Sequence, residues 1–213
     1  MLYYMVNWRK REGKMTEIKV FNRWSVDNVA VADPGLINYI TLDPKILPKT
    51  GARYAGNRFH KSNVFIVERL ATKLMNSGHK SKKHFMSSGH NTGKKNNALK
   101  IIEKALAKAE LQLKQNPLAI LVKAIENASP REEVIAIEYG GARYPKAVEV
   151  APQRRVDLAL RHISQAAYVK SFNKKMKVED ALAAELVAAA QSLGKSSAIS
   201  KKRDLERQAS SSK

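Results

Sequence analysis

The residues of this chain that come nearest to a reactive site are Gly89-His90-Asn91-Thr92-Gly93-Lys94-Lys95. Glycines beside a lysine are how a P-loop cradles phosphate. That loop, however, needs four residues between its glycines and a Ser or Thr after its Lys to hold magnesium. Here three residues separate the glycines, and Lys95 stands where the hydroxyl belongs. The segment also lies between two helical patterns instead of following a strand, so the motif does not support nucleotide hydrolysis. What remains is simpler: pliant glycines bring backbone N–H groups, Lys94 and Lys95 against a polyanionic backbone. A solvated loop is the plain alternative. His60, His79, His84 and His90 gather around the same region. No Cys or close acid joins them, and their spacing matches no zinc pattern, so loop histidines beside phosphate fit better than a metal site. A hydrolase would need a nucleophile with a base, or paired carboxylates. Glu103, Glu126 and Glu185 sit among Lys and Arg on helix faces and read as solvated or salt-bridged.

Two further groups carry binding chemistry. Arg154 and Arg155 lie one turn into a helical pattern, and Arg161 follows Arg154 by seven residues, so Arg154 and Arg161 share a face. Such a stripe can grip phosphates while Val156, Leu160 and Ile163 pack inward. Tyr139-Gly140-Gly141-Ala142-Arg143-Tyr144 places two tyrosines and an arginine around a glycine turn. Exposed aromatic rings stack on unpaired bases, and Arg stacks or reaches phosphate. One tyrosine folding back on the core is the competing reading.

The charge balance favours the same chemistry. The 213 residues hold 39 Lys+Arg against 19 Asp+Glu, a net charge of +20. A polyanion would relieve that self-repulsion, and lysines that displace its counterions give strong, salt-dependent binding. The excess comes in blocks. Residues 61–97 carry eight Lys/Arg and one acid, and 151–175 carry six and one, whereas 130–150 carry three and four. Blocks suggest a footprint instead of a uniform solubilising coat. With no cysteine there are no disulfides, thiolate metal sites or thiol nucleophiles. No apolar run approaches the ~20 residues that span a bilayer. Met15 is a candidate initiator, because residues 1–14 show no periodicity.

The elements that must position these groups are mostly helical. Residues 1–60 read as an irregular arm with turns at Asp33-Pro34-Gly35 and Asp43-Pro44. The spacing predicts helices over 62–75, capped by Ser62 or Asn63, over 98–114, and from Pro117 behind an Asn116 cap to Pro130. Residues 76–97 read as a Gly/Ser/Asn/Lys-rich loop. Over 131–150 the period switches to a β-ribbon turning at Gly140-Gly141. A fourth helix opens at Pro152, an Ala-rich fifth runs from Glu179 to Gln191 and ends near Gly194, and a sixth covers 198–209. Residues 210–213 read as a disordered tail.

In this order the residues resemble a known family. Asn116-Pro117-Leu118, Ala124-Ile125-Glu126-Asn127 and Pro130-Arg131-Glu132-Glu133-Val134 resemble the third helix and first ribbon strand of the small-subunit ribosomal protein seven family in its archaeal form. Tyr139 to Pro145, then Val148-Glu149-Val150-Ala151-Pro152-Gln153-Arg154-Arg155, resemble its ribbon and the start of its fourth helix. Ala181 to Ala190 resemble its fifth helix, Val67-Glu68-Arg69-Leu70 with Lys73-Leu74-Met75 its first, and Thr92-Gly93-Lys94-Lys95 its basic loop. Trp24-Ser25, Asp33-Pro34-Gly35-Leu36 and Tyr39-Ile40 look like the archaeal and eukaryotic extension. The resemblance covers residues 20–209. It implies binding to the 3′ major domain of small-subunit rRNA, nucleation of head assembly, and a place near the exit-site tRNA and the messenger exit path. Small-subunit protein eleven and other head proteins are the implied neighbours, and the cytoplasmic ribosome the implied location. One departure stands out. Residues 76–92, with His79-Lys80-Ser81-Lys82-Lys83-His84, intervene where relatives have a short turn.

The reading is therefore a mainly α protein of about six helices with a protruding β-hairpin at 131–150. A basic N-terminal arm spans 1–60 and the helical domain 61–209. It acts as a structural, non-enzymatic rRNA-binding component of the small subunit, with no cofactor, metal or membrane. Arg53, Arg58, Lys61, Lys82, Lys83, Lys94, Lys95, Arg131, Arg154, Arg155 and Arg161 are expected at rRNA, with Arg53, Arg58 and Lys61 ordering on binding. Tyr139, Arg143 and Tyr144 are expected near tRNA or messenger. The rival is a helical DNA-binding regulator with the ribbon as wing and helix four as recognition helix. Basic residues spread over several loops and an arm argue against it, and an enzyme is the distant third.

Overall fold

A computed structural model of the chain describes residues 18–45, 48–51, 53, 56–80, 83, 84 and 89–213, with no side-chain description at 79, 80, 83 and 84. The Met15 initiator and Lys82 lie outside the described residues. The helices are α1 (Ile66–Met75), α2 (Lys95–Leu113), α3 (Pro117–Ala128), α4 (Pro152–Ser171), α5 (Val178–Ala190) and α6 (Ser197–Ser210). The strands are β1 (His79–Lys80), β2 (Lys83–His84), β3 (Glu132–Tyr139) and β4 (Ala142–Glu149). Short 3-10 turns lie at Ile37–Tyr39 and His60–Asn63. No helix of the described residues is long and apolar enough to cross a membrane.

The Ala-rich α5 is the centre of the bundle, packed against α2, α3 and α4. Ala181, Leu182, Ala183, Leu186 and Ala189 are buried, and small side chains let neighbouring backbones come close. Its one buried acid, Glu185, is fully enclosed and fully partnered. Glu185 pairs with Lys170 on α4, accepts from Ser196 Oγ at 2.7 Å, and accepts from the Ala198 N–H at 3.0 Å. One carboxylate thus ties α4, α5 and the start of α6 together. Of the two readings of Glu185, solvated or salt-bridged, the salt-bridged one holds, but in the interior and not on the surface.

Helix α3 begins as its sequence indicates: the Asn116 side chain accepts from the Leu118 N–H behind Pro117 at the first helical position. α1 does not begin at Ser62 or Asn63. Ser62 spends its hydroxyl on the Phe59 carbonyl at 2.6 Å, its own carbonyl accepts from Thr41 Oγ1, and Phe65 stays extended in a parallel bridge to Thr41. α2 starts a turn earlier than its apolar spacing indicates, because Lys95 is anchored to the buried Glu68 of α1. After α5 the left-handed residue is Ser192, at φ 54°, not Gly194.

β3 and β4 pair antiparallel from Glu132↔Glu149 to Tyr139↔Ala142. Gly140 and Gly141 have φ of 58° and 81°, the two positive values that a tight two-residue hairpin turn needs. The ribbon base is held by the Arg131 N–H donating to Glu206 on α6 at 3.1 Å and by Lys213 against Glu132 at 2.8 Å.

Residues 18–45 lie on the helical bundle, with Val20, Trp24, Leu36 and Ile40 in the core. Trp24 Nε1 donates to Glu110 at 2.8 Å, Asn116 Nδ2 to the Ser25 carbonyl at 2.8 Å, and Arg69 to the Tyr39 carbonyl at 2.7 Å. Glu126 accepts the N–H groups of Ala32 and Asp33 at 2.6 and 3.1 Å. It is therefore a clasp for this segment and not a solvated acid.

Candidate nucleic-acid interface

Asp157 of α4 is the centre of a largely buried charged cluster where α4 meets α1. Lys61 donates to it from the 3-10 turn, Arg69 of α1 lies 3.3 Å away, and Lys73 lies 3.8 Å away. The three cations arrive from two elements because α1 packs along α4 and residues 69 and 73 share one face of α1. Burial alone would raise the Asp157 carboxyl. The hydrogen bond from Lys61 and the charges of Lys73 and Arg69 outweigh it and hold the carboxyl below the usual range. Burial lowers the Lys73 ammonium, Asp157 pulls it back up, and Lys61, Arg161 and Arg69 push it down again, for a net fall. Three cations on one carboxylate, with Arg161 close enough to act on Lys73, leave an excess of positive charge that suits a further anion.

Next to this cluster lies a hollow of about 300 Å³ lined by Tyr39, Phe59, Arg154, Asp157, Leu158 and Arg161. Arg154 and Arg161 therefore share a face as their spacing requires. Phe59 sits in left-handed backbone at φ 62°, is exposed, and carries the Arg58 guanidinium 5.0 Å from its ring centre. Arginine stacked on an exposed ring, with two more arginines across the hollow, is an arrangement that takes phosphate and base together. Sequence reasoning missed Phe59, Tyr39 and Lys73. The Arg58-Phe59 pair and the four-residue interval from Arg69 to Lys73 were the available signals.

Arg154 and Arg155 divide their work. Arg154 is half exposed and pairs with Glu133 of β3 at 2.7 Å. Arg155 has 11 % of its side chain exposed, pairs with Asp33 at 2.7 Å and donates to the Pro130 carbonyl at 3.2 Å. Arg155 thus clamps the N-terminal segment to α4 and the base of the ribbon. Arg131 is exposed beside it.

The Gly89–Lys95 loop differs from its expected geometry. The N–H groups of Thr92, Lys94 and Lys95 are used in turns onto the carbonyls of Gly89, Asn91 and Gly93, so they do not point at a ligand. Lys95 is committed to Glu68, whose Oε1 also accepts from the Thr50 N–H and hydroxyl at 2.8 Å. Lys94 remains exposed and, with Lys49, Gly93, Lys95, Asn96 and Asn97, lines an open hollow of about 440 Å³. Arg53 is exposed. Of Lys83 only the backbone is described, in β2. No cluster of three or more metal-binding side chains occurs among the described residues.

At the ribbon tip neither tyrosine folds back: Tyr139 is 81 % exposed and Tyr144 57 %. Arg143 lies 3.7 Å from Glu138, both well exposed, a contact worth little in water. Cross-strand register puts Ile135, Ile137, Tyr139 and Tyr144 on one face, and all four are exposed.

Fold and surface together define a basic helical scaffold that presents arginine, lysine and exposed aromatic rings from several elements, a protein built to bind a structured polyanion. Its residues 37–213 match the family model described as ribosomal protein S7p/S5e. The chain is also 51 % identical over 197 residues to the small ribosomal subunit protein uS7 of Nanoarchaeum equitans (strain Kin4-M), covering 92 % of this chain and 100 % of that protein. The chain belongs to the ribosomal protein S7p/S5e family, and is a structural, non-enzymatic, rRNA-binding component of the small ribosomal subunit.

Proposed function

We propose that this protein binds the 3′ major domain of small-subunit rRNA through the Asp157 cation cluster, the Arg154–Arg161 hollow and Lys94. By gripping several rRNA helices at once it nucleates assembly of the subunit head. The observation that carries this is the convergence of Lys61, Arg69 and Lys73 on Asp157, a net positive centre beside a hollow lined by Arg154, Arg161 and aromatic rings. Arg53, Arg58 and Arg131 extend the contact along the same chain. The exposed ribbon, with Tyr139, Arg143 and Tyr144, reaches towards the exit-site tRNA and the messenger exit path. Small-subunit protein eleven and other head proteins are its neighbours in the cytoplasmic ribosome. The similarity of the ribbon and fourth-helix segments to the family pattern supports this finer placement.

The test is binding of the purified protein to the isolated 3′ major-domain RNA, titrated with salt, against a duplex DNA of equal length. Tight RNA-selective binding with a steep salt slope is expected. Equal affinity for both nucleic acids would mean that charge alone is at work and would reject the domain assignment.

A further inference from the structure

Another hollow is distinct from the charged face. It lies where the end of α1, the start of α2 and the end of α4 meet, and encloses about 290 Å³. That volume is near the lower limit for small-ligand pockets, about 300 Å³. Its floor is apolar, made by Leu74, Ile101 and Val178. One wall is the pair Tyr168 and Phe172, stacked on successive turns of α4 with ring centres 5.5 Å apart and planes 26° apart. At its mouth stand the exposed Asn97 amide and Lys94. Lys94 meets no carboxylate among the described residues, unlike Lys95 beside it.

We infer that this hollow receives one unpaired nucleobase of the bound RNA strand. The inference rests on the rRNA-binding reading above and adds to it a base-reading pocket away from the phosphate-binding face. Three observations support it. First, the contents fit a base: a flat aromatic wall and apolar floor suit its faces, and amide groups at the rim suit its edges. Second, Lys94 and Asn97 also line the open hollow of Lys49, Gly93 and Lys95. A strand can therefore lay its phosphates along those lysines while one base turns inward. Third, among the described residues no Asp or Glu lines either hollow, so no described carboxylate repels a polyanion at the mouth. An apolar side chain of a neighbouring protein would use the floor but would leave Lys94 without a counter-charge.

The full-length protein, with ¹³C-labelled methyl groups, is titrated with hexauridylate and hexaadenylate, and separately with an abasic hexamer of equal charge. Resonances of Ile101, Val178 and Met75 report on the hollow. The base-bearing chains should shift them and the abasic chain should not. Phe172→Ala, at a part-exposed site that leaves the core intact, should weaken the base-bearing chains about tenfold, within the range for one stacked base, and leave the abasic chain unchanged. Pocket methyls that stay still while both kinds of chain bind equally would overturn the base pocket and leave RNA binding standing. Equal shifts with the abasic chain would overturn it as well. Failure of the rRNA-binding reading would show separately, as no salt-dependent affinity for the 3′ major-domain RNA.

Discussion

Arg154 and Arg155 are adjacent in sequence but differ in burial and partners, and replacing each alone tests whether packing and binding are divided between them. Arg155→Ala removes the partner of Asp33 and the donor to the Pro130 carbonyl. Breaking a fully buried ion pair by deleting one member costs ~3–5 kcal/mol. Asp33 keeps its hydrogen bond from the Gly35 N–H and a partly exposed carboxylate, so the expected loss is smaller, about 2–3 kcal/mol. At ~2–4 °C per kcal/mol for a chain of this size, the melting temperature should fall by about 4–12 °C. Arg154→Ala removes a half-exposed pair with Glu133 and should cost under ~1 kcal/mol. In binding the order reverses. Arg154→Ala should reduce the slope of log affinity against log salt by about one phosphate contact, ~0.7–0.9. Arg155→Ala, assayed well below its melting temperature, should leave that slope unchanged. Thermal unfolding by circular dichroism and salt-titrated rRNA binding read the two effects independently. The division of labour is refuted if Arg155→Ala melts with the parent protein, or if the Arg154→Ala slope does not change.

Other outcomes follow from the same contacts. Glu185→Ala should lower stability by about 2–4 kcal/mol, because Ser196 Oγ and the Ala198 N–H lose their acceptor in the interior; denaturant unfolding measures it. Trp24→Ala should cost about 3–5 kcal/mol of core packing and free residues 18–31 for amide exchange, read by hydrogen-exchange mass spectrometry. His162 is held to a pKa of about 4 by burial, then by the charges of Lys201 and Arg161. The unfolded chain protonates it near 6.5 while the folded chain keeps it neutral, so its contribution is complete above pH 6.5 and is lost as the pH falls towards 4. That loss approaches ~3 kcal/mol, and His162→Phe should flatten the stability profile across that window.

Much of the fold could be read from residue patterns because local chemistry and packing agree there. Asn116-Pro117, Gly140-Gly141 and Pro152 punctuate the chain as their types dictate, and α5 is central because its alanines permit close approach. Where the structure departs from or adds to the local signal, a distant partner is the reason. Ser62 looks like a cap, but Phe59 takes its hydroxyl. Lys95 looks like a free phosphate ligand, but Glu68, buried on α1 27 residues earlier, pairs with it. Arg155 reads as half of a binding pair, and the structure adds a pairing with Asp33 in the N-terminal segment that its neighbours in sequence do not announce. The charged face was legible as basic blocks, but not its centre. Nothing local reveals that Lys61, Arg69 and Lys73 converge on Asp157, since that depends on how α1 lies along α4.

The absence of cysteine allows a direct test of which face meets the RNA. Single cysteines at Asn57, Asn96 and Leu111, all exposed, can each carry a tethered hydroxyl-radical source in the complex with 3′ major-domain RNA. Strong, localised strand cleavage from positions 57 and 96, with little from 111, is the predicted pattern. Cleavage concentrated at 111 and absent from the other two would contradict the proposed interface.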